Sequence, residues 1–331
     1  LNDNPAPDAA PLIVEMIRGR TVESRHRVHV AVVDPGGRLA QFAGDGLGRV
    51  YPRSALKPFQ AAAMVDAGLE LPDPRLLAIA ASSHSGEPMH VQAVRRLLGS
   101  VGLTESDLGN VAAWPSDDAA RTAWIAGGGK PTRVRMNCSG KHAAMLATCV
   151  SAGWPLANYL SPDHPLQVWL RDWIDHLLGV DTLANPTTDG CGAPIWTIPL
   201  PVLAGAFTAI WASDPGSAGG RVSAAMRSHP ELVGGSHRDV TTLMRRVPGL
   251  LAKDGAEGIC AAALPDGRGL AIKVEDGAGR ARPAAMAWVL TQLGVPAPAV
   301  PELRIWEPVL GGGRVVGEFL VTGQLQRLPG G

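Results

Sequence analysis

The chain alternates apolar and polar positions near its start. In "HRVHVAVVDPGGRLAQFAG" (26–44) a β-branched run meets an Asp-Pro-Gly-Gly turn and a second run follows, which predicts a β-hairpin. The period then lengthens. "SALKPFQAAAMVDAG" (54–68) predicts a helix, with Pro58 in its first turns, where proline is tolerated. "PRLLAIAASSHS" (74–85) is apolar and then abruptly small and polar. "EPMHVQAVRRLLGSVG" (87–102) and "HPLQVWLRDWIDHLLG" (164–179) read as helices, the second amphipathic. "SGKHAAMLATCVSAG" (139–153) predicts another, with Ser139 as N-cap and Gly153 at its end. Residues 105–135 are loop-rich, and helical segments with Gly, Ser and Pro breaks run through 199–247. The alternation then returns. "EGICAAALP" (257–265) and "GLAIKVEDG" (269–277) predict two strands joined by "DGR". "RPAAMAWVLTQLG" (282–294) predicts a helix, and the tail from residue 295 offers a final strand.

Strands at both ends with helices between predict an α/β (α+β) fold, an antiparallel sheet built from both termini with an inserted helical region. No repeat or low-complexity linker divides the chain. Residues 1–20 read as a flexible arm and 21–331 as a single catalytic domain.

Composition narrows the function. The 331 residues are 46% hydrophobic with zero formal net charge, so no basic field attracts nucleic acid. No apolar stretch reaches the ~18 residues of a membrane span. The first twenty residues lack the basic head and apolar core of a signal peptide, so a cytoplasmic location is expected. The four cysteines are widely and irregularly spaced, which does not suggest a disulfide scaffold. Only five residues are lysine: Lys57, Lys130, Lys141, Lys253 and Lys273. Arginine carries the remaining cationic charge, and unlike arginine a buried lysine gives up its proton.

Several stretches place such residues beside reactive partners. In "RSALK", Ser54 and Lys57 are three apart at a helix start, so hydroxyl and amine share a face. A neutral lysine there would serve a serine nucleophile; otherwise this is a capped helix with an exposed lysine. "ASSHSGEP" (81–88) offers Ser83, yet by itself reads as a polar loop. "NCSGKH" puts Cys138 and Lys141 on one helical face, and "DGCGAP" puts Cys191 in a Gly-rich turn. Two thiolates could share a metal, with His142 and His90 as further donors by type, although buried structural cysteines are commoner. In "GLAIKVEDG", Lys273 is either a strand-end surface residue or a cation aimed into a pocket.

In this order, "RSALKP", "SSHSGEP", "NCSGKHAAML", "DGCGAP" and "KVEDG" resemble the rhizobial-type (class 3, asparaginase II) L-asparaginases. The resemblance runs from residue 26 to about 325, with "NCSGKH" and "DGCGAP" its specific parts. It implies a fold similar to serine β-lactamases and penicillin-binding proteins. It implies hydrolysis of L-asparagine to L-aspartate and ammonia. By motif, Ser54 and Lys57 would form one Ser–Lys pair, Ser54 being the nucleophile, and Ser83 and Lys273 a second. Cys138, Lys141 and Cys191 would hold Zn2+. His142 and Asp189 would stand behind the metal or against the substrate, and Arg53 would help to set the charge of the site. The assembly implied is a homodimer. Repulsion among lysines and zinc would leave at least one lysine neutral and help Lys141 to act as a ligand.

Other readings stand beside this one. A β-lactamase or D-peptidase is opposed by "KVEDG" where Lys-Thr-Gly is expected and by the lack of Ser-Asp-Asn. A non-catalytic zinc-binding sensing module leaves Ser54, Lys57 and Lys273 unexplained. A thiol enzyme would use Cys138 as its nucleophile.

Overall fold

The computed structural model describes residues 9–179, 181–296 and 308–328. It opens with strands β1 (Leu12–Arg18), β2 (Thr21–Val33), β3 (Leu39–Ala43) and β4 (Arg49–Val50). Six helices follow: α1 (Lys57–Asp66), α2 (Pro74–Ala80), α3 (Pro88–Gly99), α4 (Asp118–Ala126), α5 (Ser139–Ala152) and α6 (Pro165–Leu178). After strands β5 (Ala184–Thr188) and β6 (Pro194–Pro199) come helices α7 (Leu200–Ala212), α8 (Ala218–Ser228), α9 (Pro230–Val233) and α10 (Asp239–Arg246). The chain returns to strands with β7 (Leu251–Asp254), β8 (Ile259–Ala263) and β9 (Gly269–Val274), then helix α11 (Ala281–Gln292). Strands β10 (Val309–Gly311), β11 (Arg314–Thr322) and β12 (Gln326–Arg327) complete it. No helix among the described residues is long and apolar enough to cross a membrane.

These elements form two compact units. The first draws on the described parts of 1–55, 198–209 and 243–331, the second on those of 56–197 and 210–242. The helices in the middle of the chain bury their apolar faces on one another and make up most of the second unit.

The first unit is an antiparallel sheet in the order β10-β11-β1-β2-β9-β8-β7, with β3 also paired to β2 and β12 to β3. Both ends of the chain supply it, as the strand–helix–strand order predicts. The loose arm expected over 1–20 gives way to strand over 12–18. Leu12, Val14 and Met16 point alternately inward and are buried, and β1 pairs with β2 and β11. The hairpin read at 26–44 is β2 and β3, with register Val30↔Ala43. Helix α11 packs its buried Ala284, Ala285 and Val289 over the sheet. Gly269 permits a close approach elsewhere: a Cβ there would lie 2.3 Å from the Ala204 carbonyl oxygen of α7. The tail strand read after residue 295 is found as β10 and β11, while 297–307 lie outside the described residues.

The second unit is built round α5, whose residues Ser139 to Cys149 are all buried. Its first turn is small for a reason: a Cβ on Gly140 would sit 2.2 Å from the Ile79 carbonyl oxygen of α2. The predicted cap is displaced by one residue. Cys138 occupies the N-cap position, because the Ser139 hydroxyl donates to Val134 O (2.7 Å) and lies 2.8 Å from His84 Nε2. Helix α4 and the β5–β6 pair were not foreseen in this unit. Helix α4 lies inside the loop-rich 105–135, capped by Asp117, which accepts from Ala120 N. Strand β5 pairs with β6 at Thr187↔Ile195 and Thr188↔Pro194, and "DGCG" is their tight turn.

Candidate active site

Lys57 opens α1 and is buried, with 1% of its surface exposed. Its Nζ donates to Ser82 O (2.6 Å), Ser83 Oγ (3.0 Å) and Cys138 Sγ (3.1 Å). The lysine thus joins the "SSHSG" segment to "NCSGKH" inside one unit. Ser83 is also buried, and its backbone N–H donates to Val233 O at 2.9 Å. Gly86 shapes the segment. It adopts φ +76, and a Cβ there would lie 2.9 Å from both Arg135 O and Pro115 Cα. His84 and His90 stack beneath the segment with ring centroids 4.9 Å apart. His90 therefore supports the loop: Glu87 N–H donates to its Nδ1, and its Nε2 meets Glu231 O at 2.8 Å. It is no metal donor here.

The cysteines meet one helix turn further on. The β5–β6 turn closes with Gly192 N–H donating to Asp189 O (2.8 Å) and Asp189 N–H to Ala193 O (2.9 Å), which brings Cys191 to the start of α5. Lys141 Nζ donates to Cys191 Sγ at 3.2 Å. A hydrogen bond from the Cys138 thiol, helped by the Lys141 charge, holds Cys191 well below the ordinary thiol range, against burial. That same bond and burial push Cys138 up. The two shifts run in opposite directions, Cys191 down and Cys138 up. Burial pulls Lys141 down, but the charges of Cys191, Cys138 and Asp189 outweigh it and raise its pKa. The lysine sits on the Cys191 sulfur at 3.2 Å, with the sulfurs and Asp189 favouring its charged form.

His142 is fully buried behind Cys191. Its Nδ1 lies 2.7 Å from the Tyr159 hydroxyl, and its Nε2 has no hydrogen-bond partner. Burial lowers its pKa to about 4. Among the described residues no three His, Cys, Asp or Glu side chains gather as a metal site. What gathers is two cysteines and a lysine. Two buried sulfurs, Cys138 and Cys191, fit a soft, borderline cation such as zinc. The amine is the unusual donor, because it must first lose a proton.

The first unit holds the remaining predicted residues. Ser54 is buried in the 3-10 turn Arg53–Leu56, directly after Arg53, whose φ of +48 is a strained conformation for a branched cation. Arg53 pairs with Glu257 at 3.9 Å. Lys273 is half-buried on β9 and donates to Val274 O. Burial lowers its pKa, opposed by Glu257, Asp276 and Glu275.

Sequence reasoning passed over Lys253. It is wholly buried on edge strand β7, where its Nζ donates to Asp254 Oδ1 at 2.7 Å. Arg282 lies 3.5 Å from the other oxygen of that carboxylate. Gly255 follows at close quarters: a Cβ there would lie 2.8 Å from Pro52 O and 3.2 Å from Arg53 Cβ. Lys253 opposes Ala261, which opposes Ala271, so Lys253 shares a sheet face with Lys273 two residues along. The scarcity of lysine was the signal that marks it.

A buried amine held on a serine hydroxyl is equipment of the hydrolase class, in which an amine activates or protonates a hydroxyl. A model of the L-asparaginase II family matches residues 14–321, and the chain belongs to that family. Membership makes it an amidohydrolase. Among solved structures, a β-lactamase (Mb2281c) from Mycobacterium bovis is similar at 18% identity and a TM-score of 0.45, over 81% of this chain and 95% of that one. No curated protein sequence matches the chain.

Proposed function

We propose that the chain is an L-asparaginase that hydrolyses the side-chain amide of L-asparagine to L-aspartate and ammonia through an acyl-enzyme. The observation that carries the reading is Lys57: a buried amine 3.0 Å from Ser83 Oγ and 3.1 Å from Cys138 Sγ in a chain of this family. In this reading Ser54 Oγ attacks the amide carbon and Lys57, whose serine partner in this structure is Ser83, takes the hydroxyl proton. The C–N bond then breaks, and Ser83, recharged by a lysine, protonates the leaving nitrogen. Water hydrolyses the ester and restores Ser54. Arg53 faces the substrate's carboxylate, and Asp189 its ammonium. Cys138, Lys141 and Cys191 would hold a zinc ion, which when bound supplies positive charge that shapes the pocket. The functional assembly is a homodimer.

The second lysine has two candidates. The family resemblance names Lys273. Lys253 is the alternative, as a wholly buried lysine held on Asp254.

The test is ammonia release from L-asparagine and L-glutamine by wild type and Ser54→Ala, with zinc assayed on the same samples. Turnover of asparagine by wild type, lost in a Ser54→Ala protein that keeps its zinc, supports both substrate and nucleophile. Zinc binding with no ammonia from either amide would sink the catalytic reading in favour of a zinc-binding sensor, and nitrocefin hydrolysis would favour a β-lactamase.

A further inference from the structure

We propose that Tyr159 is a positioning residue: it holds His142 in the tautomer that carries its hydrogen on Nε2, and so turns an N–H toward the Cys191 sulfur. The hydrogen-bond arithmetic fixes the direction. Gly109 N–H donates to the Tyr159 hydroxyl oxygen at 2.9 Å. That oxygen lies 2.7 Å from His142 Nδ1, and these are its two hydrogen-bond partners among the described residues. A phenol has one hydrogen to give, and with an amide already donating to its oxygen that hydrogen goes to Nδ1. Nδ1 is then an acceptor, and a neutral imidazole carries its single hydrogen on the other nitrogen. The opposite arrangement would aim two hydrogens at the phenol oxygen and leave the phenol O–H with no acceptor.

The surroundings hold this geometry. Tyr159 is 4% exposed and His142 0%. The rings meet edge to face, at 77° and 5.8 Å between centroids. Gln167 Nε2 donates to the Tyr159 carbonyl at 2.8 Å and ties down its backbone. Position 109 has no room for a side chain: a Cβ there would lie 2.9 Å from Tyr159 Cε1 and 3.0 Å from its hydroxyl. At the far end of the relay, His142 Nε2 is buried with no hydrogen-bond partner, and Cys191 is among the groups that act on the ring's pKa. In this proposal the chain Gly109–Tyr159–His142 leaves an unspent N–H on Nε2 for Cys191, which in the reading above is a metal ligand. Hydrogen bonds of this kind orient a ligand sulfur before the metal arrives.

The experiment uses the full chain stripped with a chelator and labelled with 15N-histidine. Long-range proton–nitrogen spectra record which nitrogen carries the hydrogen, with His142→Gln assigning the signal. Zinc affinity is measured in parallel by chelator competition. Wild type is expected to show His142 with hydrogen on Nε2. Tyr159→Phe keeps the ring and removes the hydroxyl, so it is expected to mix the tautomers and lower zinc affinity by roughly 10–100-fold. Gly109→Ala, which displaces the phenol without deleting it, is expected to shift both readouts in the same direction. Hydrogen on Nδ1 in wild type overturns the proposal. So does a Tyr159→Phe protein whose tautomer and zinc affinity are those of wild type, even if its melting temperature falls. The metal part rests on the zinc reading above, but the spectra are taken without metal or substrate. A wild type that releases no ammonia sinks the asparaginase reading and leaves the tautomer result standing.

Discussion

At the scale of single residues, five lysines concentrate the chemistry, and the structure ranks them. Lys57, Lys141 and Lys253 are buried, while Lys273 is half-buried. Motif reading found Lys57 and Lys141, because each stands beside a serine or cysteine in the chain. It chose Lys273 from the "KVEDG" strand and overlooked Lys253, whose neighbours Asp254 and Gly255 suggest a turn. Burial by strands from distant parts of the sequence is what distinguishes the two, and no local pattern reports it. The choice has a direct readout. If Lys253 recharges Ser83, Lys253→Met loses turnover by roughly 10²–10⁴-fold, the usual worth of a general acid–base group, and Lys273→Met keeps most of it. Lys253→Met also strands the Asp254 carboxylate, so circular dichroism melts accompany the rates. A folded Lys253→Met with wild-type kcat, beside an inactive Lys273→Met, would return the role to Lys273.

At the scale of elements, the helices with a continuous apolar face were legible, and α5 above all: 139–153 was read and Ser139–Ala152 is observed. Helix α4 escaped because it buries no residue and so shows no stripe. Strand β7 escaped because four residues ending in Lys-Asp carry little alternation. Strand β1 alternates and forms a hairpin with β2 that closes at Arg18↔Thr21, a local signal that the reading of 1–20 as an arm passed over; only its pairing with β11, at Val14↔Val321, is long-range. Close packing of α5 on α2 leads to a stability prediction. Gly140→Ala places a methyl 2.2 Å from a backbone oxygen that has no rotamer to yield, so the helices must separate. The cost should be about 3 kcal/mol, the upper part of the overpacking range. Gly153→Ala, at the left-handed end of the same helix (φ +68) with open space around it, should cost about 1 kcal/mol. Urea denaturation of both variants measures the difference. Equal midpoints would mean that α5 and α2 are not in close contact at Gly140.

At the scale of the whole molecule, the strand–helix–strand order foretold a sheet drawn from both ends. Its division into two units was not legible, since no linker marks it. The same folding creates a pH dependence that composition does not show. Burial, the stacked His90 and the Lys57 charge hold His84 well below its ordinary pKa of 6.5. Burial also lowers His90, against the Glu231 carbonyl and the Glu87, Glu231 and Asp117 charges. In the unfolded chain both histidines take up protons near pH 6.5; in the folded chain they do so only lower. Between those values the unfolded state binds more protons, so stability falls as pH falls. Each histidine adds a slope of up to about 1.4 kcal/mol per pH unit. The lowered carboxylates Asp34, Asp266 and Asp276 act only below about 3.8. His84 and His90, together with the buried His142 and the half-buried His29, whose pKa values burial also lowers, should therefore appear as a steepening that begins near pH 6.5. Urea midpoints of chelator-treated protein at pH 8, 7, 6 and 5 test this. A profile with no break in that interval would mean that His84 and His90 accept protons freely in the folded state, and that the stacked, neutral pair beneath the Ser83 loop does not exist in solution.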